Sequence, residues 1–210
     1  MLMKVFPHGT GEGDKPSRYL VRLDYPGRDT APPQVLRGDP AMSRALIDSI
    51  ERRWKFTSGA LSWHPDEKIS EAQEEEVMDA FERVAFAGLE ADQRNILWVR
   101  HTHAGHHELH FLIPRLELSS GKDFNACPPG WQKDFDVFRD LLNWREGWAR
   151  PDDPARARDE LPKKADLFKT RMARWGKEIR ESDRDRAKEI IHAFLKEKVT
   201  QGIVRNREDI

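Results

Sequence analysis

The chain carries a single cysteine, Cys127, and only two tyrosines, Tyr19 and Tyr25. One thiol cannot close an intrachain disulfide, and nothing argues for an oxidising compartment. No apolar run approaches the roughly 18 to 20 residues of a membrane span. The first seven residues hold one lysine and no long apolar segment, so they read as a strand and not as a secretory leader. These absences predict a soluble protein of a bacterial-type cytoplasm with no membrane partner.

Net charge is nearly absent too, at −1 over 210 residues. The balance is uneven along the chain. Residues 1–155 carry 20 Lys and Arg against 26 Asp and Glu, whereas residues 156–210 carry 16 against 11. A basic tail on an acidic body suits either a solvated helix or a surface that attracts a polyanion.

Hydrophobic patterning predicts an α/β (α+β) domain with a central sheet. Strands are expected at 2–7, 35–37 and 56–63. A helix capped by Asp14 should carry Pro16 in its first turn, and 42–54 reads as a second helix. Ser70 followed by Gln73 is a capping box opening a helix over 71–86. Phe135, Phe138, Leu141 and Leu142 share one face of a helix over 131–144. Pro151–Pro154 suggests a boundary, dividing residues 1–150 from a basic helical extension, 151–210. Leu167, Phe168, Met172, Trp175 and Ile179 repeat there at helical intervals, as do Ile190, Ile191, Phe194 and Leu195. Gly202 and the residues to Ile210 read as a turn and the start of an unfinished helix, an incomplete helix-turn-helix in a fragment of a longer protein.

Five of the eight histidines lie in ten residues, His101, His103, His106, His107 and His110, between two strand-like runs. A two-residue turn at Ala104–Gly105 would set His103 against His106 and His101 against Glu108. The period of two then puts His110 on the face of Glu108. Two imidazoles and a carboxylate leave coordination positions open for a substrate oxygen. The bland alternative is a solvated turn that scavenges metal.

His101, Glu108 and His110, with Phe111–Arg115 (FLIPR) and Gly121–Gly130 after them, resemble the third motif of plasmid mobilisation relaxases, in the HUH endonuclease superfamily. The resemblance extends upstream through Gly9–Gly13, Tyr19-Leu20, Arg37–Asp39, Thr57–Ser62, Phe81-Glu82 and Gly88-Leu89, over roughly residues 1–130. Glu108 stands where most relaxases carry His, and Cys127 where an aromatic is expected. The resemblance implies a central antiparallel sheet flanked by helices. It also implies one divalent cation, Mg²⁺ or Mn²⁺, and single-stranded origin-of-transfer DNA as substrate, with accessory mobilisation proteins and a coupling protein as partners.

It further implies a tyrosine nucleophile that cuts one DNA strand and holds it as a 5′-phosphotyrosine for religation. Both tyrosines precede the histidine motif, the relaxase order; rolling-circle initiators place theirs after it. Tyr19, following the glycine loop, takes the family position over Tyr25. His103, His106, Arg18, Arg115 and Lys122 are candidates for supporting or DNA-contacting roles, and His107 is expected to face water. The rival readings are a non-haem metal oxygenase, which uses the same donor triad, and an origin-binding module that does not cut.

Overall fold

The computed structural model describes residues 1–150 and 183–203. The chain divides into two units, Met1–Ala157 and Arg158–Ile210. The expected boundary at Pro151–Pro154 and the helical stripe from Leu167 to Ile179 lie outside the described residues.

In the first unit β1 (Leu2–Val5), α1 (Asp14–Val21), β2 (Gln34–Arg37), α2 (Pro40–Asp48), β3 (Phe56–Ser62), α3 (Glu71–Ala85), β4 (Leu97–His101), β5 (Glu108–Pro114) and α4 (Gln132–Glu146) follow in order. The strands form one sheet, β1-β3-β5-β4-β2, in which every neighbouring pair is antiparallel. Strand periodicity assigns its two faces. Leu97 and Val99 of β4 and Leu112 of β5 pack with Leu20 of α1 and Ile47 of α2. On the other face Trp98, Leu109, Phe111 and Ile113 pack with Phe81 of α3 and with Phe135 and Phe138 of α4. Helices therefore cover both sides, as expected for the α/β class.

Capping fixes the helix starts. Gln73 N–H donates to Ser70 Oγ at 3.3 Å and Ser70 N–H to Gln73 Oε1 at 3.0 Å, completing the anticipated capping box. At α2 the start lies earlier than expected, because Asp39 accepts from Met42 N–H at 2.6 Å and Pro40 occupies the first turn. That helix ends at Asp48, so Trp54 lies beyond it and is partly exposed. Asp14 also differs from expectation. It sits inside the first turn of α1, where it pairs with Arg44 at 2.8 Å, and Gly13 holds the cap position without a side-chain bond.

Two further expectations are corrected. Leu141 turns outward at 59 % exposure while Phe135, Phe138 and Leu142 are buried, because a position three beyond Phe138 overshoots the buried stripe. The β4–β5 connection is longer than a two-residue turn. The ladder stops at His101 and Glu108, and Gly105 N–H bonds Thr102 O at 3.0 Å, which centres a β-turn on His103 and Ala104. Gly105, at φ +80°, makes the return that an L side chain would resist.

In the second unit a helix runs over Asp183–Thr200 and closes at Gly202, with Gly202 N–H on Val199 O and Ile203 N–H on Lys198 O, both at 3.0 Å. The remainder of the anticipated helix-turn-helix lies outside the described residues. No helix among them is long and apolar enough to cross a membrane.

Candidate active site

Three potential ligands meet at the end of the β4–β5 hairpin, on the sheet face that carries α1. His101 is directly opposite Glu108 in the ladder, and His110 follows Glu108 by one strand period. One ligand atom from each lies within 4.8 Å of the others, close to the roughly 4 Å that two donors on one ion span. His101 and His110 are buried and Glu108 is half-buried, so the cluster is rooted in the sheet and open at its rim.

Protonation favours metal binding. Burial, assisted by the neighbouring His110, holds the His101 imidazole down to about 4. Burial pushes the Glu108 carboxyl up, but contacts with His110 at 3.2 Å and His106 at 3.1 Å outweigh it and bring it to about 2. Neutral imidazole and ionised carboxylate are the forms that ligate divalent ions. The His101 tautomer follows from its neighbours: its Nε2 is 2.8 Å from Leu20 O and its Nδ1 is 3.2 Å from Nη2 of Arg28. A carbonyl only accepts and a guanidinium only donates, so Nε2 bears the proton and Nδ1 the lone pair. The donor set thus fits a divalent cation.

Tyr19 lies on α1 above this cluster because Leu20, the next residue, packs into the core beneath the helix. Its ring is edge-on to His101, with centroids 6.3 Å apart, and edge-on to Tyr25 at 5.8 Å. At 40 % exposure it is reachable from solvent. Burial and Tyr25 raise its phenol above the usual value, against the opposing effect of Arg28.

The remaining candidates divide by position. His103 stands beside His101 and Tyr25, both at 5.3 Å, with a buried Nδ1 that has no hydrogen-bond partner. His106 is on Glu108. Arg18 is exposed and pairs with Asp14 at 3.5 Å. Arg115 and Lys122 follow β5 at its far end, about 20 Å of strand from Glu108; Arg115 is buried and grips Asp123 through two nitrogens. His107 does not face water. It is largely enclosed, edge-on to Trp63 at 5.3 Å, with Nε2 2.7 Å from Glu74 Oε1. It points to the opposite sheet face because it is odd in the alternation that puts Glu108 and His110 over α1. Cys127 is buried in the core, a packing role.

Sequence reasoning missed Arg28, which touches His101 and both tyrosines, and Glu74, which anchors the other face. Arg28 sits in a turn-like DYPGRD stretch where an arginine ordinarily faces solvent.

A helix-flanked antiparallel sheet, with a His/Glu/His cluster closing its central hairpin beneath a tyrosine-bearing helix, has the architecture of an HUH-type nuclease domain. The chain belongs to the MobA/VirD2-like relaxase family, whose nuclease-domain profile matches residues 43–148. It is 39 % identical over 170 residues to "Cryptic plasmid protein C" of Neisseria gonorrhoeae, covering 80 % of each chain. It is 35 % identical over 168 residues to DNA relaxase MbeA of Escherichia coli, covering 77 % of this chain and 32 % of that relative, so it spans about a third of MbeA. No solved structure matches the chain significantly. Family membership makes this a relaxase nuclease domain, and that favours the relaxase reading over the oxygenase one.

Proposed function

We propose that the protein nicks and religates one DNA strand at an origin of transfer through a covalent tyrosyl intermediate. The observation that carries this reading is the placement of Tyr19 edge-on to His101, above three convergent ligands. His101, Glu108 and His110 would hold one divalent cation, Mg²⁺ or Mn²⁺, whose chemistry is Lewis-acid neutralisation of a non-bridging phosphate oxygen.

The Tyr19 oxygen attacks the scissile phosphorus in line. A bond forms from that oxygen to phosphorus as the bond from phosphorus to the 3′ oxygen breaks, leaving a 5′-phosphotyrosine and a 3′-hydroxyl. The phenolic proton must leave as the departing oxygen gains one. His103 is a base available for the first transfer, since burial and Arg28 hold its imidazole below the usual value and its Nδ1 lacks a partner. Reversal of the same steps religates the strand.

The basic segment 156–210, mostly outside the described residues, supplies sequence-tolerant affinity for phosphates, which the net negative charge of the first 155 residues opposes. Single-stranded origin DNA of the host element, labelled and incubated with Mg²⁺ or Mn²⁺, tests the whole reading. Denaturing electrophoresis should show a single cut and a protein-linked product. Binding without cutting under these conditions would leave only an origin-binding module.

A further inference from the structure

Arg28 is fully buried, yet its hydrogen bonds go to neutral acceptors. Nη1 donates to the carbonyls of Tyr19 at 2.6 Å and Arg22 at 3.1 Å, and Nη2 to Nδ1 of His101 at 3.2 Å. Its Nε is buried without a partner. The guanidinium carbon lies 5.0 Å from the centre of the Tyr19 ring and 4.7 Å from that of Tyr25. A cation so enclosed carries a large desolvation penalty, which ring faces and carbonyls offset only partly.

The lone pair it occupies is the one His101 has to offer. Nε2 carries the proton given to Leu20, so a cation bound through His101 must take Nδ1. Arg28 and the cation therefore compete for one lone pair, and as like charges at close range they also repel. The same guanidinium fixes the backbone of Tyr19. Resting on the ligand and nucleophile roles given above, we propose that Arg28 couples cation binding to the nucleophile: a cation that takes Nδ1 frees an N–H donor beside Tyr19, where an anionic phosphate or phenolate oxygen is the acceptor it lacks. Arg28 is thus a positioning residue that opposes the cation and favours the reaction.

The two effects have opposite signs, which a merely structural residue would not produce. Mn²⁺ affinity of the full chain, by calorimetry, should rise at least about threefold in Arg28→Gln. Its kcat for nicking a labelled origin oligonucleotide at saturating Mn²⁺ should fall at least about tenfold, with KM within about threefold. Arg28→Lys should recover part of kcat, because charge returns without the two-pronged grip. Unchanged or weaker Mn²⁺ binding by a folded Arg28→Gln protein would overturn the coupling.

Should that variant not fold, nitrogen-15 spectra of the wild type during a Mg²⁺ titration decide. His101 Nδ1 and the Arg28 guanidinium should respond with one midpoint, and a response from His101 alone overturns the proposal. Two controls separate this from the underlying reading. Undiminished Mn²⁺ affinity in His101→Ala would refute the ligand assignment itself, and normal nicking by Tyr19→Phe the nucleophile.

Discussion

His101 and Glu108 are the last directly opposed pair of the β4–β5 ladder, with His101 closing one strand and Glu108 opening the next. Their side chains share the face that Leu97, Val99 and Leu112 bury against α1 and α2. The packing that seals this face also desolvates His101 and holds its imidazole in the neutral form.

Ligand removal should be visible without any turnover. A cation at 100 times its dissociation constant stabilises a protein by about 2.7 kcal/mol. Saturating Mn²⁺ should therefore raise the melting temperature of the wild type by several degrees, and that rise should vanish in Glu108→Ala and in His110→Ala. A rise of full size in either variant would mean that the ion binds elsewhere.

The two tyrosines should separate cleanly. Tyr19→Phe is expected to abolish the covalent adduct, whereas Tyr25→Phe, which loses an edge contact at 5.8 Å, should retain nicking at a rate reduced less than about tenfold. Peptide mapping of the trapped adduct checks the assignment, and phosphate on Tyr25 would reverse it.

On the opposite face, Glu74 gives a pH signature. Burial pushes its carboxyl up, but His107 and the Arg100 guanidinium, which it accepts through both oxygens, outweigh burial and hold it below the usual value. A carboxyl lower in the folded than in the unfolded protein stabilises fully above about 4.5 and loses that contribution as pH falls through its folded value. Glu74→Gln should thus cost about 1–3 kcal/mol at pH 7, with the difference shrinking as pH drops below 4.5. Urea unfolding at several pH values measures it; a gap that widens toward acid would contradict the sign.

Gly59 lies where β1, β3 and β5 come together. A Cβ there would stand 2.4 Å from both Lys4 O and the Phe111 ring. Gly59→Ala should destabilise by about 2 kcal/mol or more, since neither strand backbone nor a core ring can yield easily. A melting temperature within one degree of the wild type would show that the sheet accommodates the methyl.

Cys127 should be chemically silent. Burial alone pushes its thiol up to about 12, leaving almost no thiolate at neutral pH. Iodoacetamide should label it only in denaturant, and rapid labelling of the native protein would show that its pocket opens.

Much of the site was readable in one dimension. Strand alternation through Leu97–His101 and Glu108–Pro114 is set by residue type, so placing His101, Glu108 and His110 on one face needed only the period of two and the return at Gly105. The Ser70–Gln73 box likewise marks the start of α3 through bonds that are local. What the sequence could not decide was long-range. Nothing local tells that Arg28 is enclosed by Tyr19, Tyr25 and His101, 73 residues away along the chain, or that Glu74 of α3 receives Arg100 and His107 from the sheet. Those contacts exist because helices pack on particular faces of a particular strand order, and burial, not residue type, then determines which charges are desolvated. The protein's donor set was written in its hairpin, while its electrostatic surroundings were decided by packing.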